Sequence, residues 1–231
     1  MRRAILSLTL PLLLVAGASP AGAGGLDLRI GAYFPRGNET LFQDVRELYF
    51  VEKSDFYGVY GGIEFNQKIV DNVEFAVHFD GYSRSVDTSY RDYTRPDGGE
   101  IYQTLKLWQA PLGVSVRLIP TSKRTKLAPF VGAGVDAIFY QYEEYGDFID
   151  FYDESLPILS DAFIADGTAF GFHVLGGFRY YLNRDFAIVA EGRYQWATDE
   201  MGDDFSPNAA GLVNTIDLSG ATATLGVHIR F

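Results

Sequence analysis

Leu225-Gly226-Val227-His228-Ile229-Arg230-Phe231 sets leucine, valine, isoleucine and phenylalanine at every second position. Upstream, Ala223 continues the apolar set, while Arg230, His228, Gly226, Thr224 and Thr222 fall on the opposite side. A period of two is an extended strand with one apolar and one polar face. Any half-buried antiparallel sheet can show it, so the decision rests on the rest of the chain.

Residues 1–23 read as an export signal: Arg2 and Arg3, an apolar stretch from Ala4 to about Val15, then Ala21-Gly22-Ala23 as a cleavage site. The stretch is too short for a membrane anchor and is broken by Pro11. The expected domain is residues 24–231. No cysteine is present, which removes both a disulfide framework and a lipid-attachment thiol. The formal net charge of −11 becomes more negative once Arg2 and Arg3 leave, so nucleic acid is not an expected partner. Phenylalanine (18), tyrosine (15) and glycine (25) are abundant, a composition that suits sheets joined by tight turns.

Seven further runs share the alternation. They span Leu26–Phe34, Tyr57–Phe65, Val73 to about Tyr82, about Thr104 to Leu118, Pro129–Tyr140, Ala169–Leu182 and Phe186–Trp196. The last run extends from about Val213 to Phe231, with a register break expected near Ser219-Gly220. Pro111 suggests a bulge or an edge irregularity in the fourth run. Long irregular connections follow the first, third, fifth and seventh runs, and short ones follow the second, fourth and sixth. Long loops at one end, short turns at the other, an even strand count and an apolar-out, polar-in pattern are how a transmembrane β-barrel reads. A soluble β-sandwich or lipocalin-like barrel is the alternative, with the apolar set turned inward.

The Pro129-Phe130-Val131-Gly132-Ala133-Gly134-Val135 run, the Gly176-Gly177-Phe178-Arg179-Tyr180 run and the final Leu225–Phe231 stretch resemble small eight-stranded bacterial outer-membrane β-barrels, the porin-like or OmpA-like membrane domains. The resemblance spans nearly all of residues 24–231. It implies an all-β, antiparallel up-and-down transmembrane barrel in the cell outer membrane, with long extracellular loops and short periplasmic turns. It also implies that Phe231, Ile229, Val227 and Leu225 form the signal read by the barrel-assembly machinery. The implied partners are periplasmic chaperones during biogenesis, then outer-membrane lipid and lipopolysaccharide around a monomer. Such barrels host many roles, so the resemblance specifies architecture more than function.

With the apolar faces toward lipid, Arg29, Glu64, Glu74, Arg117, Arg179, Glu191, Arg193 and Arg230 are expected to be enclosed together. Opposite charges in a low-dielectric space pair, because an unpaired one is costly. Either the network plugs the interior, which eight strands make barely wide enough for side chains, or it lines a narrow pore. The third long connection carries Glu143, Glu144, Asp147, Asp150, Asp153 and Glu154 among Tyr142, Tyr145, Phe148, Phe151 and Tyr152; it reads first as a solvated acidic loop, with calcium or magnesium binding the lesser alternative because calcium-loop spacing is absent. In the first, Thr40-Leu41-Phe42-Gln43 fits a capping box, followed by Val45, Leu48 and Tyr49 at helical spacing. A helix over the mouth and a hairpin extension both suit it.

Enzyme signals are sparse. His78, His173 and His228 sit in separate runs, and no cysteine or histidine cluster for zinc is visible. His78 and Asp80 share one face and could form an acid–base pair. No catalytic residue, metal or cofactor is expected. The leading expectation is a non-enzymatic envelope and surface protein with loops available to partners. The alternatives are a narrow OmpW-like channel for small or apolar solutes and, third, a lipid-modifying enzyme.

Overall fold

The computed structural model describes residues 24–37, 40–120, 125–151, 153–201 and 215–231. The export signal expected over residues 1–23, Lys123 and Tyr152, and the expected strand start at Val213 lie outside the described residues. The elements are β1 (Gly24–Pro35), α1 (Thr40–Leu48), β2 (Gly58–Val70), β3 (Val73–Thr94), β4 (Glu100–Leu118), β5 (Leu127–Ile149), β6 (Ile158–Tyr181), β7 (Phe186–Glu200), β8 (Thr215–Asp217) and β9 (Gly220–Arg230). A short 3-10 turn, Lys53–Phe56, leads into β2.

All neighbouring strands are antiparallel, and the ring closes because β9 pairs with both β7 and β1. Gly24 and Phe231 exchange backbone hydrogen bonds of 3.1 Å at the seam. The short β8 pairs with the far end of β7, and Leu218-Ser219 separates it from β9, so the two form one interrupted stave. The break falls where the glycine after Ser219 marks it in the sequence. Within the closed ring each described stave is paired on both sides, the condition for a sheet to span lipid.

The outer surface is an apolar belt. Ile30 is 65 % exposed, Val135 58 % and Phe170 79 %, which would be an aggregation surface in water. These residues point away from the interior, which removes the soluble alternative. Aromatic pairs mark the belt's two rims: Phe34 with Tyr57 and Phe172 with Trp196 at one, Phe65 with Phe231 at the other.

The long connections are shorter than expected because the strands continue into them. β3 and β4 run on to a turn at residues 95–99, and β5 and β6 stay paired as far as Ile149 opposite Ile158. The acidic segment is therefore largely a paired hairpin, with Glu143 opposite Ile164 and Asp147 opposite Ser160. In the first connection α1 forms and buries Leu41, Phe42 and Val45, with Tyr49 just beyond it, while Leu48 stays exposed. Pro111 causes no bulge: the β3–β4 ladder lapses between Phe79–Leu112 and Tyr82–Gln109 and resumes in the same register.

Candidate functional site

The lumen is the candidate site, and strand alternation builds it. Side chains two residues apart on each stave point inward, and the antiparallel register stacks them into levels. At the periplasmic mouth a cavity of about 590 Å³ is lined by Asn66, Lys68, Glu74, Lys126, Arg184 and Arg230 among others. Arg230 was expected inside the charge network; it is exposed at this mouth instead, because it ends its strand where water enters.

Just above, Arg179 binds Glu74 at 2.6 Å and Asp27 at 3.4 Å, and Asp27 also meets Nδ1 of His228. The Phe130 ring lies beneath two guanidiniums, 4.8 Å from that of Arg117 and 5.4 Å from that of Arg179. Such contacts stabilise a cation where water is excluded.

The central level joins five of the expected residues. Arg29 reaches Glu191 at 2.7 Å, Asp80 at 2.9 Å and Glu64 at 3.1 Å. Arg117 donates to Glu64 and, at 2.7 Å, to Glu191. Arg193 meets Glu191 at 3.0 Å and Asp80 at 3.2 Å. The Tyr60 hydroxyl donates to Asp80 at 2.9 Å. Every carboxylate here touches at least two guanidiniums, the condition under which buried charges are tolerated. None of these ionic side chains is more than 3 % exposed.

Two further histidines converge beside it. His78 of β3 and His173 of β6 both approach Asp136 of β5, at 3.0 Å and 2.7 Å. His78 also comes within 3.9 Å of Asp80, the partner its strand face suggested, but lies nearer to Asp136. The three histidines sit on separate staves, as the sequence reads; β4 and β5 stand between β3 and β6, so His78 and His173 meet across the lumen, while His228 of β9 pairs with Asp27.

Toward the extracellular end the interior turns apolar. α1 inserts Leu41, Phe42 and Val45 among Tyr33, Tyr82, Leu105, Leu107, Tyr140 and Tyr142. This plug is a hydrophobic core like that of a soluble protein, closed by hydrogen bonds such as Tyr33 to the Leu218 carbonyl at 2.9 Å. Asp27, Asp80, Asp136, His78, His173 and Tyr60 belong to the filling of the lumen but were not assigned to the network beforehand. Their inward parity was the available signal.

No protein-family model and no curated protein matches the chain. Among solved structures, the outer membrane protein OprG of Pseudomonas aeruginosa superposes with a TM-score of 0.57 at 12 % identity, covering 91 % of this chain and 96 % of that one. This is the fold of the small eight-stranded outer-membrane β-barrels. Neisserial surface protein A is also similar, at 16 % identity, 90 % and 97 % coverage and a TM-score of 0.48. So is the outer membrane protein W of E. coli, at 18 % identity, 92 % and 100 % coverage and a TM-score of 0.43. The fold and the lipid-facing belt make this barrel a protein of the cell outer membrane.

Proposed function

We propose that this outer-membrane barrel is a closed, non-enzymatic surface protein, a monomer that anchors in lipid and lipopolysaccharide and presents its extracellular hairpins to partners. One observation carries the reading: the lumen is filled twice over, by the Arg29–Glu64–Asp80–Arg117–Glu191–Arg193 network and by the apolar plug above it. A solute would have to break a network in which each carboxylate has at least two cationic partners. Chemistry has little purchase either. Ser115 faces the lumen with its hydroxyl unpartnered and makes no bond to a histidine, whereas nucleophilic catalysis needs that bond and a path for substrate.

The periplasmic cavity supports the second reading, a narrow channel, because it already opens one mouth. Planar-bilayer recordings of the purified barrel decide between them. Absence of stepwise conductance is expected; stable single-channel steps that disappear when Arg193 is exchanged would overturn the closed reading. On the assembly side, Leu225, Val227 and Ile229 share one face of β9, Phe231 follows at its end, and we assign the recognition by assembly machinery and chaperones to that apolar face. Phe231→Ala should lower the yield of inserted, heat-modifiable barrel; an unchanged yield would remove that assignment.

A further inference from the structure

We infer that His78, Asp136 and His173 form a buried site for a divalent first-row transition ion of the zinc type. Two imidazole nitrogens and a carboxylate oxygen are the donor set such ions prefer over the all-oxygen sets of calcium and magnesium. Their candidate donor atoms lie within 4.8 Å of one another. Donors on one zinc sit within about 4 Å of each other, so a small ring rotation closes the set. Burial is nearly complete, at 0 % side-chain exposure for both histidines and 1 % for Asp136.

Charge singles out this cluster. Among the described residues, Asp27, Glu64, Glu74, Asp80 and Glu191 each pair with at least one arginine, whereas Asp136 meets only the two imidazoles. A carboxylate this deep takes up a proton unless a cation or hydrogen-bond donors hold its charge, and an ion at this site would supply that cation. Several polar atoms of the cluster are also under-used. His78 Nε2 and Asp136 Oδ1 stand 3.0 Å apart without hydrogen-bonding, and His78 Nδ1 and His173 Nε2 have no partner.

The wall is shaped for the cluster. Gly113 of β4 lies in register between His78 of β3 and Asp136 of β5. A Cβ on Gly113 would stand 2.0 Å from Asp136 Oδ1 and 2.5 Å from His78 Cε1. Glycine at that position is what lets side chains from alternate staves meet across the one between. An ion here would tie β3, β5 and β6 together and balance Asp136. Closed from both mouths, it would enter as the barrel folds and exchange slowly afterwards. This holds whether or not the lumen conducts.

The test uses untagged protein, whose three histidines are His78, His173 and His228. Barrel refolded into detergent with zinc, then passed over a chelating resin, should keep one zinc per folded chain by mass spectrometry. His173→Gln and Asp136→Asn should each lower retention by at least the about tenfold that loss of a mere supporting residue causes, while His228→Gln should not. If a variant fails to show the heat-modifiable folded band, X-ray absorption of zinc on the wild-type barrel decides. Two imidazole ligands support the site. Fewer than two imidazoles, no retained zinc in the wild type, or equal retention in folded His173→Gln and Asp136→Asn overturns it.

Discussion

The interior of this barrel is filled in two ways, by ion pairs at membrane depth and by apolar side chains above it, and β4 shows both on one strand. Below Trp108 its outward side chains are Leu112, Val114, Val116 and Leu118, and its inward ones include Gln109, Ser115 and Arg117. Above Trp108 the outward ones are Lys106, Thr104, Tyr102 and Glu100, and the inward ones are Leu107, Leu105, Gln103 and Ile101. β5 inverts likewise beyond Phe139, where Gln141, Glu143 and Asp147 turn outward while Tyr140 and Tyr142 turn inward. The wall's geometry is constant; the solvent outside it is not. Lipid demands an apolar exterior and leaves polar side chains to fill the lumen. Water allows a polar exterior, and the interior then becomes a hydrophobic core.

The largest way to break the contrast is to remove a central cation. Arg117→Met leaves Glu64 and Glu191 each short of one partner, with Arg29 and Arg193 still in reach. Breaking a buried ion network by taking one member costs about 3–5 kcal/mol. Denaturant unfolding from lipid vesicles should show that loss across the whole barrel, because the residue bridges staves on opposite sides. A cost below about 1 kcal/mol, the value of an exposed pair, would mean that water reaches this level.

Next comes the wall's outer face. Val135→Arg, near the middle of the belt, should cost about 2–4 kcal/mol in folding into bilayers, and the cost should fall toward zero at the rims. Glu143→Arg, on the same strand past the inversion, should change insertion little. Equal costs at the two positions would place the water boundary elsewhere than at Phe139 and Trp108.

The same inversion explains how much of the fold could be read in advance. The eight staves were legible where lipid bathes them, since Leu112–Leu118 and Val131–Phe139 keep one apolar parity throughout. Their extensions were not. At Leu107 and Tyr140 the apolar residues switch face, so the alternation breaks although the strand continues. The lumen network was partly legible from inward parity, which located Arg29, Glu64, Arg117, Glu191 and Arg193. Parity alone does not tell which inward residues meet, and the convergence of His78 and His173 on Asp136 depends on ring order and on Gly113. Arg230 has the correct parity but lies at the water-filled end of its strand.

Within the extracellular plug one carboxylate stands out. Glu144, in the hairpin above the belt, is buried and accepts a hydrogen bond from the Tyr142 hydroxyl at 2.7 Å. Burial pushes its carboxyl up to about 7, against an ordinary value of 4.5, although the Tyr142 bond pulls the other way. A carboxyl raised in the fold favours the fold while protonated. Its contribution is therefore complete below about 4.5 and is lost as pH rises through about 7. Limited proteolysis of the β5–β6 hairpin should accelerate between pH 5 and 8 while the heat-modifiable barrel persists. Glu144→Gln, neutral throughout, should flatten the dependence, and a dependence that survives in the variant would assign it to another group.

The smallest expected effect sits at the junction of the two fillings. Tyr33 of β1 is buried against Tyr82, ring centroids 4.9 Å apart, and its hydroxyl reaches the Leu218 carbonyl at 2.9 Å and that of Ser219 at 3.1 Å. These are the two residues that interrupt the last stave. Tyr33→Phe keeps the ring and its packing and removes only the donor, a change worth about 0.5–1.5 kcal/mol. The low end applies, because the Leu218 carbonyl keeps its bond from Gln195 Nε2 at 2.7 Å and so is not orphaned. The measurement is amide exchange at the junction. Leu218, whose amide donates to the Ala197 carbonyl at 3.0 Å, should exchange faster. Amides at membrane depth in β9, such as Leu225, should not change. If both accelerate together, the plug and the charged lumen open as one unit, and the two fillings are energetically a single core. If only Leu218 does, the barrel below is a platform whose stability does not depend on the domain-like cap it carries.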